Sequence, residues 1–426
     1  MMTLYEELQW RGFLHQATHE DLGERLEKEP IALYCGFDPT ADSLHIGSML
    51  PIMGLAHFQR HGHRPIVVVG GGTGLIGDPS GKTQERQLLT KEQVEINALG
   101  IRRQLAHFLD FEGPCSARMV NNAEWLCALS LVDFLRDIGK HFSINMMLAK
   151  DSVRQRVQDR DHGMSFTEFT YSLLQSYDFL YLSDHYDCRM QVGGSDQWGN
   201  IVSGMDLIRR LRDKTAYGLT FPLVTKSDGT KFGKTETGNV WLDPRRTSPY
   251  RFYQFWINQA DADLPRWMKF FTYLSREEVQ EYERLLREEP EKRVAQKRLA
   301  EEVTRLLHGQ EALDGAVRAS EAMFGGSLQG LDDAALEDVF SEMPASELSS
   351  RLLSASPLLI EVLIEAGVFQ SKGEARRLIQ SHGFYLNNQR VDAEDLRLTE
   401  RSLCSSRIAV VRKGKKNYHL LKFVDR

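Results

Sequence analysis

The chain is predicted to be an α/β protein: a parallel sheet with crossover helices, then a helical region, then a small α+β module. Three patterns predict this. Short apolar runs alternate with helical-period stretches through about residue 225, as strands and crossovers of a parallel sheet do. From about 245 to 325 the period is mostly helical, with Glu and Arg on the polar faces. Residues 358–426 read as two short helices followed by strands, closing with a hairpin-like pair, RIAVV and NYHLLKF, around Arg412–Lys416. Between the last two regions, 326–357 carry Gly, Ser, Asp and two Pro with weak periodicity, which predicts a linker. The expected domains are therefore 1–225, 226–325 and 358–426, with 326–357 joining the last two.

At 426 residues, two or three domains are expected, and 42% hydrophobic with 26% charged residues is ordinary globular composition. No apolar run is long enough to span a membrane, and the N-terminal stretch lacks the pattern of a secretory signal. Five scattered cysteines without a CxxC pair predict neither a disulfide framework nor a structural zinc site. A cytoplasmic protein is the expectation. The net charge of −6 conceals a division: residues 358–426 hold 13 Lys and Arg against 8 Asp and Glu, or +5, leaving the body at −11. A basic module on an acidic body suits a polyanionic partner.

Taken in order, 31–37 (IALYCGF) predicts a buried strand, followed by a turn-rich stretch and an apolar helix from His45 to His61 closed by Gly62. Pro51 lies about one turn in, so a late helix start or a kink is expected. The strand 65–69 then runs into a glycine-dense loop. Gly72, Gly74 and Gly77 match the dinucleotide spacing GxGxxG, but Asp78-Pro79-Ser80-Gly81 would break the helix that should follow. No acidic residue closes a second strand about 20 residues later, as ribose recognition needs. Gly77 to Thr83 is one residue short of a phosphate-binding P-loop. Both nucleotide fingerprints are damaged. Farther on, 189–192 predicts a strand, Gly193-Gly194 a tight turn, and Ser195-Asp196 a helix cap.

Two other pieces fit a triphosphate better. His45-Ile46-Gly47-Ser48 sits where a helix begins after a strand, and such ends favour phosphate through their N–H groups and dipole. Far along the chain, Lys231-Phe232-Gly233-Lys234-Thr235 reads as a mobile cationic loop without an apolar face to pack. Each alone has a plain structural explanation; together, in this order and with an αβ region between, they are more specific. On the stretch 167–178, Tyr171, Gln175 and Asp178 fall at i, i+4 and i+7 and share one helix face.

These residues carry a resemblance. His45–Ser48 resembles the HIGH motif and Lys231–Thr235 the KMSKS motif of class I aminoacyl-tRNA synthetases. Almost end to end, words such as YCGFDPTADSLHIG, GGSDQWGN, SFTEFTYSLLQSYDF and WLDPRRTSPYRFYQFW are similar to the bacterial tyrosyl-tRNA synthetase family. Ser48 departs from the usual His of HIGH, exchanging a possible imidazole contact for a hydroxyl. The resemblance implies a Rossmann-type catalytic domain, a helical anticodon-side domain and an RNA-binding module like that of a ribosomal small-subunit protein. It implies a homodimer whose substrates are L-tyrosine, ATP with Mg2+, and tRNA, with no permanently bound cofactor and no protein metal site. A tryptophan-charging relative, or an RNA-binding protein that has lost catalysis, is the alternative.

The site roles follow from the same resemblance. Tyr34 and Asp178 would bind the substrate phenol, while Asp78, Tyr171 and Gln175 would hold its ammonium group and Gln197 its carboxyl end. Thr40, His45, Lys82, Arg86, Lys231, Lys234 and Thr235 would serve the phosphates. Cys35, Gly36, Asp38, Gly47, Ser48, Gly194 and Asp196 would complete the ATP site. In the basic module, Lys372, Arg376, Arg377, Arg412, Lys413, Lys415 and Lys416 would meet tRNA.

Overall fold

A computed structural model describes residues 2–78, 89–150, 153–154, 157, 164–230, 232–235, 238–414 and 416–425; Lys234 and Thr235 are described by their backbone alone. Lys82, Arg86, Lys231 and Lys415 lie outside the described residues. The chain divides into two compact units, 1–246 with 259–299, and 247–258 with 300–426.

The first unit is built on a six-stranded sheet: β1 (Gln16–Ala17), β2 (Ala32–Phe37), β3 (Arg64–Val69), β4 (Arg118–Asn121), β5 (Cys188–Gly194) and β6 (Tyr217–Phe221), ordered β1-β6-β5-β2-β3-β4. All neighbours are parallel except β1, which pairs antiparallel with the edge strand β6. Buried on both faces, β2, β3 and β6 are near-continuous apolar runs, which is why β2 and β3 were legible in the sequence, although β6 was not singled out there. The strand order reverses between β2 and β5, and in an open parallel sheet a crevice forms outside the strand C-termini at such a reversal.

Two helices flank that crevice. The first, α1 (Met49–Arg60), is preceded by a 3-10 turn, Ile46–Ser48. Pro51 therefore occupies the first α-helical turn, where its missing N–H costs no intrahelical bond. The second, α2 (Phe166–Tyr186), opens with a reciprocal capping box between Ser165 and Glu168 and extends eight residues past Asp178. Leu173, Phe179, Leu180 and Leu182 pack into one core with Tyr34, Ile66 and Val68 of the sheet. Gly193 and Gly194 end β5 rather than forming a separate turn, and Ser195–Gln197 is a 3-10 turn without a side-chain cap bond. It leads into α3 (Trp198–Arg212), whose last turn carries three Arg at the negative end of the helix dipole.

The cationic segment forms a two-stranded hairpin, β7 (Lys234–Thr235) with β8 (Gly238–Asn239). It does have an apolar anchor. Phe232 is buried, stacked on Phe271 at 5.3 Å and set against Trp267 at 4.6 Å. A single aromatic among Gly, Ser, Thr and Lys gives no periodic signal, so this anchor was not visible in the sequence.

The second unit contains a five-stranded sheet, ordered β11-β10-β12-β13-β9, where β9 is Ala345–Ser349, β10 Phe384–Leu386, β11 Gln389–Arg390, β12 Ile408–Lys413 and β13 Asn417–Val424. The hairpin β12–β13 pairs in register from Ile408 with Lys422 to Lys413 with Asn417. Residues 326–357, where composition suggested a linker, belong to this fold. Strand β9 pairs parallel with β13, and the helix Asp333–Val339 packs Leu336 and Val339 against Ile408, Val410 and Leu420. Alternation in ASELS is too weak, and the flanking Gly and Pro too frequent, for composition to reveal a sheet-edge strand.

Candidate active site

A cavity of about 590 Å³ opens at the C-terminal ends of β2, β5 and β6. Its lining includes Tyr34, Asp38, Asp78, Tyr171, Gln175, Asp178 and Gln197 together with Thr40, His45, Gly47, Ser48, Gly194 and Asp196. Cys35 and Gly36, consecutive on β2, also line it. Every expected tyrosine- and ATP-site residue whose side chain is described thus meets in one depression.

At its closed end, Asp178 is buried and accepts two hydrogen bonds, from Trp125 Nε1 at 2.7 Å and from Asn122 Nδ2 at 2.9 Å. Asn122 is fixed in turn: its Oδ1 accepts from Gly72 N at 2.8 Å and its Nδ2 also donates to Thr73 Oγ1 at 3.0 Å. Sequence reading missed Asn122 and Trp125. Their signal was positional, because they directly follow β4, and the C-terminal ends of parallel strands face the crevice. Tyr34, on β2, is buried with its hydroxyl unpartnered among the described residues. An orphaned buried hydroxyl costs about 1–3 kcal/mol and calls for an occupant.

Burial pushes the Asp178 carboxyl up to about 7, with the nearby charge of Asp38 adding to it, against the opposing bonds from Asn122 and Trp125. Burial likewise holds the Tyr34 phenol far above its ordinary range. A ligand hydroxyl donating to Asp178 favours the ionised form. Tyrosine affinity, measured without ATP by equilibrium dialysis, should therefore weaken as pH falls from 8 to 6, through an inflection near 7. The folded-state pKa is raised, so this carboxyl's contribution to stability is complete below about 3.8 and is lost as pH rises through 7. Binding and stability should consequently trend in opposite directions across that window; a flat affinity profile would exclude Asp178 as the titrating acceptor.

Next to this end lies a network of carboxylates and amides. Tyr171 Oη donates to Asp38 Oδ2 at 3.1 Å, and Thr73 Oγ1 donates to Asp38 Oδ1 at 2.9 Å. Gln197 Nε2 donates to Asp78 Oδ2 at 2.8 Å, Gln175 Nε2 to Gln197 Oε1 at 3.1 Å, and Asn200 Nδ2 to Gln175 Oε1 at 3.0 Å. Such an acceptor-rich arrangement suits a cationic ammonium group. Gly70 and Gly71 make it possible: a Cβ on Gly70 would lie 2.1 Å from Asp38 Oδ1, and one on Gly71 2.0 Å from Asn121 Oδ1.

The opposite end is set by the turn before α1. His45, in extended backbone, caps the 3-10 turn, its Nδ1 accepting from Gly47 N at 3.0 Å. That bond places the proton of the neutral ring on Nε2, a donor suited to a phosphate oxygen. The cationic hairpin lies against this turn. Gly233, at φ +88°, comes so near that a Cβ would be 3.0 Å from Ile46 Cγ1 and 3.4 Å from Gly47 N. Val240 N donates to Gly233 O at 3.2 Å, and Ile46 N donates to Val240 O at 3.0 Å. The two motifs, nearly two hundred residues apart in sequence, share one wall.

A family model described as tRNA synthetases class I (W and Y) matches residues 26–325, and one described as tyrosine–tRNA ligase SYY-like C-terminal domain matches 335–421. A tyrosine–tRNA ligase of Roseiflexus castenholzii is 55% identical over the whole of both chains. The chain belongs to the tyrosyl-tRNA synthetase family. A second tyrosine–tRNA ligase, from Geobacillus kaustophilus, is 52% identical over 99% of this chain and 100% of its own. Among solved structures, a C-terminally truncated mitochondrial tyrosyl-tRNA synthetase of Aspergillus nidulans superposes with a TM-score of 0.68 at 31% identity, covering 76% of this chain and 95% of that one.

In this synthetase the basic residues of the second unit are less free than the sequence suggested. Arg412 is half-buried, its guanidinium 3.9 Å from the ring centre of Tyr385 and 5.6 Å from that of Tyr418. Lys413 Nζ donates to Val368 O at 2.7 Å and lies over Phe369. Both cations therefore serve packing, because alternation along β12 turns them onto neighbouring rings and a carbonyl. Lys372 pairs with Glu361 at 2.8 Å and Arg376 with Glu394 at 3.4 Å, both exposed. Arg377 and Lys416 are exposed.

Proposed function

We propose that this chain is a tyrosine–tRNA ligase that activates L-tyrosine with ATP and transfers it to the 3′-terminal ribose of its tRNA. One juxtaposition supports the reading: a buried acceptor and an orphaned hydroxyl, Asp178 and Tyr34, at one end of a cavity whose other end is the His45 turn and the Gly233 hairpin. The substrate phenol donates to Asp178 and accepts from Tyr34. Its ammonium group sits among Asp78, Tyr171 and Gln175, and Gln197 meets the carboxyl end.

The tyrosine carboxylate attacks the α-phosphate of ATP, forming the acyl–phosphate bond as the bond to pyrophosphate breaks. ATP already carries its leaving group, so positioning and charge stabilisation provide most of the acceleration. Thr40 and His45 Nε2–H meet the γ-phosphate, while Lys82, Arg86, Lys231, Lys234 and Thr235 receive the departing pyrophosphate. Asp196 accepts from the ribose hydroxyls beside Cys35, and Gly36, Asp38, Gly47, Ser48 and Gly194 complete the nucleotide site. Mg2+ arrives on ATP. A ribose hydroxyl of tRNA then attacks the adenylate carbonyl, releasing AMP. Tyrosine-dependent ATP–pyrophosphate exchange tests this directly; exchange driven by tryptophan, or none at all, would refute it.

Transfer requires a hold on tRNA, for which Arg377 and Lys416 are exposed; Lys415, outside the described residues, belongs to the same basic stretch of sequence. Lys372 and Arg376 can leave their exposed carboxylate partners for phosphate at little cost, whereas Arg412 and Lys413 contribute mainly by shaping this face. Because 326–357 fold with the second sheet, removing 326–426 is the appropriate truncation. It should preserve pyrophosphate exchange and abolish charging of tRNA, checked by both assays on one preparation.

A cytoplasmic homodimer completes the reading. No helix among the described residues is long and apolar enough to cross a membrane. Leu131, Val132, Leu135, Ile144 and Met146 are all exposed on two neighbouring segments, a patch that a second copy would cover. Replacing Leu131 and Val132 with Glu should halve the mass found by sedimentation.

A further inference from the structure

The wall shared by the two nucleotide motifs holds, behind His45, a stack of side chains that the proposed mechanism does not use. Residues 44–46 and 240–242 pair antiparallel through Ile46 N to Val240 O at 3.0 Å and Leu242 N to Leu44 O at 2.9 Å. His45 and Trp241 are directly opposite. The bonds come from the residues on either side, so this is the non-hydrogen-bonded type of pair, in which facing side chains approach most closely. The His45 and Trp241 rings accordingly meet edge to face, 6.1 Å between centres at 72°. Trp241 lines the cavity and is only half-buried, so packing alone does not immobilise it. Arg246 covers the Trp241 ring, the guanidinium carbon 3.6 Å from the ring centre. Arg246 is tied back by Nη1 to Asp42 Oδ1 at 2.8 Å. The series Asp42, Arg246, Trp241, His45 thus closes on the segment where it starts.

We infer that Trp241, clamped by Arg246 and Asp42, is a positioning residue for the reaction: it fixes the His45 imidazole for the phosphate and couples that ring to the lysine hairpin. Two features carry this. The bond from Gly47 N fixes the Nδ1 end of the His45 ring, and the Trp241 ring packs directly against the imidazole. Trp241 follows β8 by two residues, so movement of the hairpin is transmitted along one short strand to the residue facing His45. The inference rests on the proposed exchange activity, and concerns how that activity is aligned.

The test is a double-mutant cycle on the full chain, combining ATP–pyrophosphate exchange with tyrosine binding. Trp241→Ala should lower kcat by about 10-fold or more, on the scale that loss of alignment produces, with the tyrosine dissociation constant changed less than about twofold. Trp241→Phe, which retains an aromatic edge, should recover most of the rate. In a His45→Ala background, Trp241→Ala should cost less than about twofold, because a residue acting through His45 has nothing left to align. Arg246→Ala, a surface change that should not impair folding, should give a smaller loss that vanishes when Trp241 is already alanine. Additive losses in either cycle, or tyrosine affinity falling in step with kcat, would overturn the positioning role. Lack of exchange by the unmodified chain would instead overturn the proposed activity.

Discussion

Replacing Asp178 by alanine is expected to reduce kcat/KM for tyrosine by about 30- to 1000-fold, corresponding to roughly 2–4 kcal/mol for a lost charge-assisted hydrogen bond at a buried site. Phenylalanine, which makes no such bond, should lose almost nothing. The preference for tyrosine should therefore collapse because tyrosine declines, not because the competitor improves. The free protein should also suffer, since Trp125 Nε1 would be left without its carboxylate acceptor and Asn122 Nδ2 would keep Thr73 Oγ1 alone. Losing an expensive buried acid offsets part of that cost. Asp178→Asn separates the two effects: it preserves volume, but its amide can satisfy only one of the two donors. Steady-state exchange with both amino acids, alongside thermal unfolding of each variant, gives the comparison. A preference unchanged in Asp178→Ala would exclude this residue as the reader of the hydroxyl.

Gly233→Ala should produce a comparable loss by a different route. Gly233 has φ +88°, a conformation costing an alanine roughly 1–2 kcal/mol, and the added Cβ would meet Ile46 Cγ1 at 3.0 Å and Gly47 N at 3.4 Å. The backbone nitrogen cannot yield without disturbing the His45 turn, so the hairpin must move instead. Misplacement on the order of an ångström costs about 100-fold in rate. The expected result is an exchange kcat lowered by roughly 100-fold, with tyrosine binding unaltered, since Asp178 and Tyr34 lie at the other end of the cavity. Stopped-flow adenylate formation and equilibrium dialysis separate the two terms. Equal weakening of tyrosine binding would mean that the hairpin supports the whole pocket and not the phosphate end alone.

What could be read in advance depended on whether a feature leaves a periodic trace. Strands β2 and β3, apolar on both faces, and helix α2, with Tyr171, Gln175 and Asp178 on one side, have such traces. The grouping of site residues was legible mainly because His45–Ser48 and Lys231–Thr235 resemble known motifs; spacing alone could not have brought them to one wall. Features made by single long-range contacts were not legible. Asn122 and Trp125 reach Asp178 from the segment after β4, and Phe232 finds Trp267 and Phe271 across thirty-odd residues, none with a local pattern. Charge was the least reliable guide. Arg412 and Lys413 count toward a basic tail, yet rings and a carbonyl already engage them.

The parallel pairing of β9 with β13 bears on how the second unit is assembled during synthesis. Residues 345–349 emerge from the ribosome long before 417–424, and until those arrive the earlier segment has a bare edge and an uncovered apolar flank. Strands β10 to β13 can pair as they appear, but β9 has no partner until β13 is made and docks only in that late step. Nascent chains stalled short of residue 417 should hence be the species most prone to aggregate or to recruit chaperones.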